Sequence, residues 1–312
     1  FMGDIMLDQS YSHGASTKPL IGETLGANFD SAVKKWGKRD ALIVRHQNIR
    51  WSYLELQEKV NAFAAGLLSL GLEPGDRVGV WSPNNSEWVV VQYATAKAGL
   101  ILVNINPAYR VAELEYAINK VGCKALILAS SFKSSDYVSM VGELAPEICK
   151  SKPGDISCVR LPSLKTVIQI GGKTNDGYFD FEQISGLDSN KGRKQLEILS
   201  DELQFDDPIN IQFTSGTTGF PKGATLTHFN VLNNGYFTGE GLKFTSTDKL
   251  CVPVPLYHCF GMVLSNVAAL THGAALVYPA EAFDPLTVLE TVEAEQCTAL
   301  HGVPTMFIAE LG

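Results

Sequence analysis

The apolar residues Leu56, Val60, Phe63, Leu67 and Leu70 recur at the three- and four-residue spacing of one helix face. Ser52 and Glu55 stand three apart just ahead of them, the spacing of a capping box, and Gly71 closes the stretch. Upstream, the pattern predicts a helix over 29–36 and a hairpin of 41–45 with 49–51 around His46-Gln47-Asn48. From Arg77 strand and helix patterns alternate: strands at 77–81, 100–103 and 124–129, helices at 86–98, 111–121 and 132–144. That rhythm predicts an α/β fold, with mostly parallel sheet flanked by helices on both faces.

Residues 1–25 are rich in Ser, Gly and Thr and read as surface chain. Segments 146–163 and 172–205 are polar and broken by Gly, Pro and charge, so they read as surface excursions around a short strand at 166–170. A second apolar stretch opens at Pro208, with strands at 209–213 and 224–226 and a helix from Thr227, which stands in the capping position. Strands at 250–252, 274–278 and 298–300 follow, with helices near 262–270, at 285–294 and from Pro304.

Charge and cysteine content narrow the class. The net charge of −8 at pH 7 argues against non-specific binding to nucleic acid or an anionic membrane face. It leaves nucleotides open, because backbone N–H groups and one or two cations hold a phosphate locally. The six cysteines form no CxxC pair and read as reduced thiols of an intracellular protein. No apolar run approaches the roughly 20 residues that span a bilayer, and Phe1 before Met2 reads as a trimmed start. His13, His46, His272 and His301 show no metal-ligand spacing, so no protein-bound metal is expected. After Lys249 there is no Lys or Arg but six acidic residues, which suggests a region that meets a partner segment.

The strongest chemical signal is Thr214-Ser215-Gly216-Thr217-Thr218-Gly219-Phe220-Pro221-Lys222-Gly223. It is not a Walker A loop, since Pro221 stands near where the second Gly-Lys would come. The physics is similar. Glycines let successive N–H groups turn toward one anion, hydroxyls add donors, and Lys222 supplies a mobile positive charge. A solvated surface loop is the bland alternative. The density of these residues, directly after an apolar strand, favours a phosphate grip.

This segment resembles the phosphate loop of the adenylate-forming superfamily of acyl-CoA synthetases, luciferases and peptide-synthetase adenylation domains. The likeness runs over nearly the whole chain. Ser12-His13-Gly14-Ala15, the run from Ala98 to Tyr109, the run from Asp207 to Phe213, and Pro255-Leu256-Tyr257-His258-Cys259-Phe260-Gly261 look most like the medium-chain acyl-CoA synthetases, whose animal members are mitochondrial. The resemblance implies the large N-terminal domain of an adenylate-forming enzyme, incomplete here. One subdomain would span about 77–240, and a second, unfinished, about 25–72 plus 245–312. It implies ATP with Mg²⁺, a fatty acid and CoA as reaction partners. Residues 214–222 would hold the β- and γ-phosphates. Catalytic His258 would lie near the substrate carboxylate, with Phe260, Gly261 and Gly302 in the acyl-pocket wall. For Phe260 and Gly261 ordinary core packing is the competing reading, and for Gly302 a plain strand-to-helix turn. His228, six residues past Lys222, reads as structural.

The family's adenine-stacking Tyr-Gly-Thr-Thr-Glu-like segment, its ribose-gripping Thr-Gly-Asp segment and its C-terminal lid with a catalytic lysine have no counterpart among these residues. Weak ATP affinity, negligible ligase activity and a homodimer through an unfinished sheet are therefore expected of this stretch alone. The expected compartment is the mitochondrial matrix in a eukaryote and the cytoplasm in a bacterium. Two other readings stay open: an adenylating enzyme with a different acyl acceptor, and a non-catalytic nucleotide-binding protein.

Overall fold

A computed structural model of the chain describes residues 17–187, 189–214 and 221–312. The first elements are helix α1 (Leu25–Trp36), strands β1 (Asp40–Val44) and β2 (Ile49–Ser52), and helix α2 (Tyr53–Ser69). The expected capping box is made: Ser52 Oγ accepts from Glu55 N, and the Glu55 carboxylate accepts from Ser52 N at 2.7 Å. Next come β3 (Arg77–Trp81), α3 (Ser86–Lys97), β4 (Ile101–Asn104), α4 (Val111–Val121) and β5 (Cys123–Ala129). A small hairpin, β6 (Ser131–Phe132) and β7 (Ser135–Asp136), leads into α5 (Tyr137–Leu144), then β8 (Thr166–Ile170) and β9 (Phe179–Asp180). Helices α6 (Phe181–Gly186) and α7 (Asn190–Glu202) precede β10 (Pro208–Thr214), β11 (Lys222–Thr227) and α8 (His228–Leu242). The remainder is β12 (Lys249–Cys251), a π-helix (Phe260–Val267), α9 (Ala268–His272), β13 (Ala275–Tyr278), α10 (Pro285–Glu295), β14 (Ala299–Leu300) and α11 (Pro304–Leu311).

Two main sheets result. A seven-stranded sheet has the order β11-β10-β4-β3-β5-β8-β9, and a five-stranded sheet has the order β14-β12-β13-β1-β2. All neighbours are parallel except the edge pairs β1/β2 and β10/β11. Alternate residues of the larger sheet feed two cores, as the two-residue period of a strand requires. Val78, Val80, Leu102, Ala125 and Ile127 face the core that includes α2 and α3. Trp81, Val103, Leu126 and Leu128 face the core that includes α4 and α5. Leu42, Val44, Leu250, Leu276 and Tyr278 of the smaller sheet join the first of these cores, so that core binds both sheets together.

Three expectations need correction. The helix expected over 132–144 starts only at Tyr137, because residues 131–136 fold into the small hairpin. Lys133 turns that hairpin at φ 52°, and Asp136 caps the helix through Ser139 N. The polar segment 172–205 is not a plain excursion: it carries α6 and α7, which pack on α2. The approach is close enough that a Cβ on Gly66 would lie 2.0 Å from Ile184 O, and one on Gly192 would lie 2.6 Å from Ala65 O. Few apolar residues are needed for such contact; α7 buries only Gly192, Leu196 and Leu199, which is why its pattern looked like loop. The helix expected near 262–270 begins two residues earlier, as a π-helix.

Candidate functional site

Parallel strands in an open sheet point their carboxyl ends at one edge, where ligands gather. At that edge of the larger sheet, β10 and β11 form a hairpin in which Thr214 pairs with Lys222. The sequence-predicted phosphate loop is the segment that joins these two residues. Ser215, Gly216, Thr217, Thr218, Gly219 and Phe220 lie outside the described residues. The loop's two ends are defined. Thr214 Oγ1 donates to Lys222 O at 3.4 Å, and Tyr116 OH donates to Pro221 O at 3.0 Å, tying the loop exit to α4. Thr214 and Lys222 are both exposed.

His258 sits on the turn between β12 and the π-helix. That turn is held from below by buried amides. Asn84 donates to Val254 O at 3.0 Å and accepts from Leu256 N at 2.9 Å; Asn104 donates to Tyr257 O at 2.8 Å. Gly261 closes the turn against itself: a Cβ there would lie 2.4 Å from Pro255 O. The Phe260 N–H donates to His258 Nδ1 at 3.2 Å. A backbone N–H can only donate, so Nδ1 supplies the lone pair and the neutral ring carries its proton on Nε2. The His258 side chain is thus an exposed N–H donor on a constrained ring.

Phe260 packs against the His301 ring at 5.1 Å between centroids, which brings the turn to the segment bearing Gly302. Ser265 Oγ donates to Phe260 O at 3.0 Å and, its proton so placed, accepts from His301 Nδ1 at 2.8 Å. Burial lowers the His301 pKa, which keeps that ring neutral. Gly302 lies under the Phe307 ring, with a Cβ position 3.0 Å from Phe307 Cζ. Phe260 thus packs on the residue next to Gly302, and Gly261 is required by close backbone packing.

A cavity of about 360 Å³ opens beside this turn, lined by Asn84, Asn106, Lys133, Tyr257, Glu281 and Met306 among others. Its floor is braced by Trp81 Nε1 donating to Asn106 O at 3.1 Å and Tyr137 OH donating to Pro107 O at 2.6 Å. His258, Phe260, Gly261 and Gly302 are not among its lining residues. His228 lies elsewhere, fully buried, with Nδ1 accepting from Leu25 N at 3.0 Å. Burial, partly offset by Asp207, pushes its pKa down to about 4, so it is a neutral structural group. Among the described residues, no group of three or more His, Cys, Asp or Glu side chains is placed to hold a metal.

The sequence reading missed Asn84, Asn104, Asn210 and Gln212. Asn104 and Asn210 are nearly inaccessible. For three of them a signal was available: Asn104 ends β4, and Asn210 and Gln212 interrupt β10, where a polar side chain needs a specific partner.

Two parallel-rich sheets with a Gly/Thr/Lys hairpin loop at the carboxyl edge have the architecture of an adenylate-forming enzyme's large domain. The AMP-binding enzyme family model matches residues 29–311, and the chain belongs to that family. It is 44% identical over 308 residues to the mitochondrial medium-chain acyl-CoA ligase ACSF2 of Danio rerio, covering 98% of this chain and 51% of that protein. It is also 44% identical over 292 residues to the putative acyl-CoA synthetase YngI of Bacillus subtilis, covering 94% of this chain and 53% of that protein. In fold it matches the long-chain-fatty-acid-CoA ligase FadD1 of Archaeoglobus fulgidus with a TM-score of 0.76 at 23% identity, over 97% of this chain and 56% of that one. The chain spans about half the length of the curated relatives it matches. No helix among the described residues is long and apolar enough to cross a membrane.

Proposed function

We propose that the protein to which this chain belongs is an AMP-forming acyl-CoA synthetase acting on a medium-chain fatty acid. The observation that carries this reading is the hairpin that sets Thr214 opposite Lys222 at the mouth of a Gly/Thr loop, on the carboxyl edge of a parallel sheet. Family membership and the two medium-chain and acyl-CoA relatives support it.

In the first half-reaction a carboxylate oxygen attacks the α-phosphorus of ATP and pyrophosphate leaves. Such a transfer needs positioning and charge neutralisation more than covalent help from protein. Lys222 and the loop N–H groups hold the β- and γ-phosphates and stabilise the departing charge. Mg²⁺ enters as the counter-ion of ATP; no described residue is assigned to it. His258 offers its Nε2–H to the substrate carboxylate or to a phosphate oxygen, with Phe260, Gly261 and Gly302 as its wall. In the second half-reaction the CoA thiol attacks the acyl carbonyl and AMP leaves. The loop-bearing subdomain is taken as about 77–240, and the second as about 25–72 plus 245–312. The matrix of a mitochondrion, or the cytoplasm of a bacterium, is the compartment this reading implies.

Trapping with hydroxylamine tests the first half-reaction in the full-length protein. Acyl-hydroxamate should accumulate with ATP and a medium-chain acid in the absence of CoA. Adding CoA should divert the product to the thioester. Hydroxamate without any thioester would point instead to a different acyl acceptor.

A further inference from the structure

Three side-chain amides join the two arms of the candidate site. Gln212 Nε2 donates to Asn210 Oδ1 at 3.0 Å, Asn210 Nδ2 to Asn104 Oδ1 at 2.8 Å, and Asn104 Nδ2 to Tyr257 O at 2.8 Å. The direction of this chain is forced. Tyr257 O can only accept, so Asn104 must present its NH₂ there and its oxygen to Asn210. Asn210 also donates to Leu102 O at 3.0 Å, which fixes its amide the same way and leaves its oxygen for Gln212. The spare N–H groups of Asn104 and Gln212 reach the Met262 sulfur at 3.5 Å and 3.8 Å. One end of the chain lies two residues before Thr214 on the strand that enters the phosphate loop. The other ends on the residue before His258.

Pairing of the strands does not require these bonds. β4 and β10 are already in register, Asn210 opposite Leu102 and Gln212 opposite Asn104. The last link leaves the sheet and crosses to a turn 153 residues away in sequence. Asn104 is 2% exposed and Asn210 is 1% exposed, so neither can exchange its partner for bulk water. We propose that Asn104 is a positioning residue, and that the Gln212–Asn210–Asn104 relay sets His258 at a fixed distance from the Thr214–Lys222 end of the β10/β11 hairpin. The proposal rests on the adenylation reading for its functional consequence, but the strap itself is a structural claim with its own readout.

The test uses the full-length protein and two measurements. In Asn104→Ala, amide hydrogen exchange at Tyr257, His258 and Phe260 should quicken by about tenfold or more, with β4 and β10 unchanged. Acyl-adenylate formation should slow by about tenfold in kcat, with KM for ATP moving less than about twofold. A double-mutant cycle separates positioning from general damage. If Asn104 acts through His258, the Asn104→Ala/His258→Ala double variant is no slower than His258→Ala alone. Additive losses, unchanged exchange at the turn, or exchange that quickens equally in β4 and β10 would each overturn the relay. A wild-type protein that forms no acyl-adenylate would refute the functional reading, and the exchange measurement would still decide the strap.

Discussion

The β10/β11 hairpin that leads into the candidate phosphate loop and the turn that carries His258 are built in opposite ways. The hairpin is local. Its two strands are separated by seven residues and are held by backbone pairing from Pro208–Thr227 to Thr214–Lys222. The His258 turn is held from far away in sequence, by Asn84 and Asn104 beneath it and by the absence of a side chain at Gly261. A local device leaves a signature in consecutive residues. A device assembled from distant amides leaves only isolated polar residues whose meaning depends on the fold.

This contrast can be broken at either arm. Lys222→Ala in the full-length protein should slow adenylation about a hundredfold, the size of effect seen when one charge-stabilising group is removed from a preorganised site. Because Lys222 is exposed, the melting temperature should stay within a degree or two; a large drop would mean that the hairpin, too, depends on its side chains. Gly261→Ala should do the reverse and act on structure first. A Cβ at 2.4 Å from Pro255 O must displace the turn, at a cost of about 2–3 kcal/mol in urea unfolding. A neutral result would show the turn to be pliant.

His228 ties the helix after the hairpin to the start of α1 and supplies a pH test. Its folded pKa of about 4 lies below the ordinary histidine value of 6.5, so the unfolded chain binds the proton more tightly. Its contribution is complete above about pH 6.5 and is lost as pH falls toward 4. Between pH 7 and pH 5 this group alone removes about 2 kcal/mol of stability. His228→Gln should flatten that part of the profile. Ser52→Ala, far from both arms, should cost only about 1 kcal/mol through the lost cap of α2 and leave adenylation unchanged. A change in rate there would mean that the two arms are less insulated from the rest of the fold than the geometry implies.

The same contrast explains what was legible in the sequence. The βαβ rhythm, the Ser52–Glu55 capping box and the Thr227 cap all lie within short windows and were readable. The Gly/Thr segment after β10 and His258 stand out by the same kind of local signature, as candidates for the site. Helix α7 was not readable, because its contact with α2 uses Gly192 in place of an apolar stripe. The small β6/β7 hairpin was absorbed into the helix that follows it, because the left-handed Lys133 that turns it gives no warning in the sequence. Asn104 falls just past the strand expected at 100–103. Its partners Asn210 and Tyr257 stand 106 and 153 residues away, beyond the reach of any periodicity argument.

The most direct test of the central claim is exchange of labelled pyrophosphate into ATP, catalysed by the full-length protein with octanoate and Mg²⁺ and without CoA. The account predicts label in ATP that depends on the acid and falls about a hundredfold in Lys222→Ala. Failure of every carboxylic acid to support exchange, at any chain length, would contradict it.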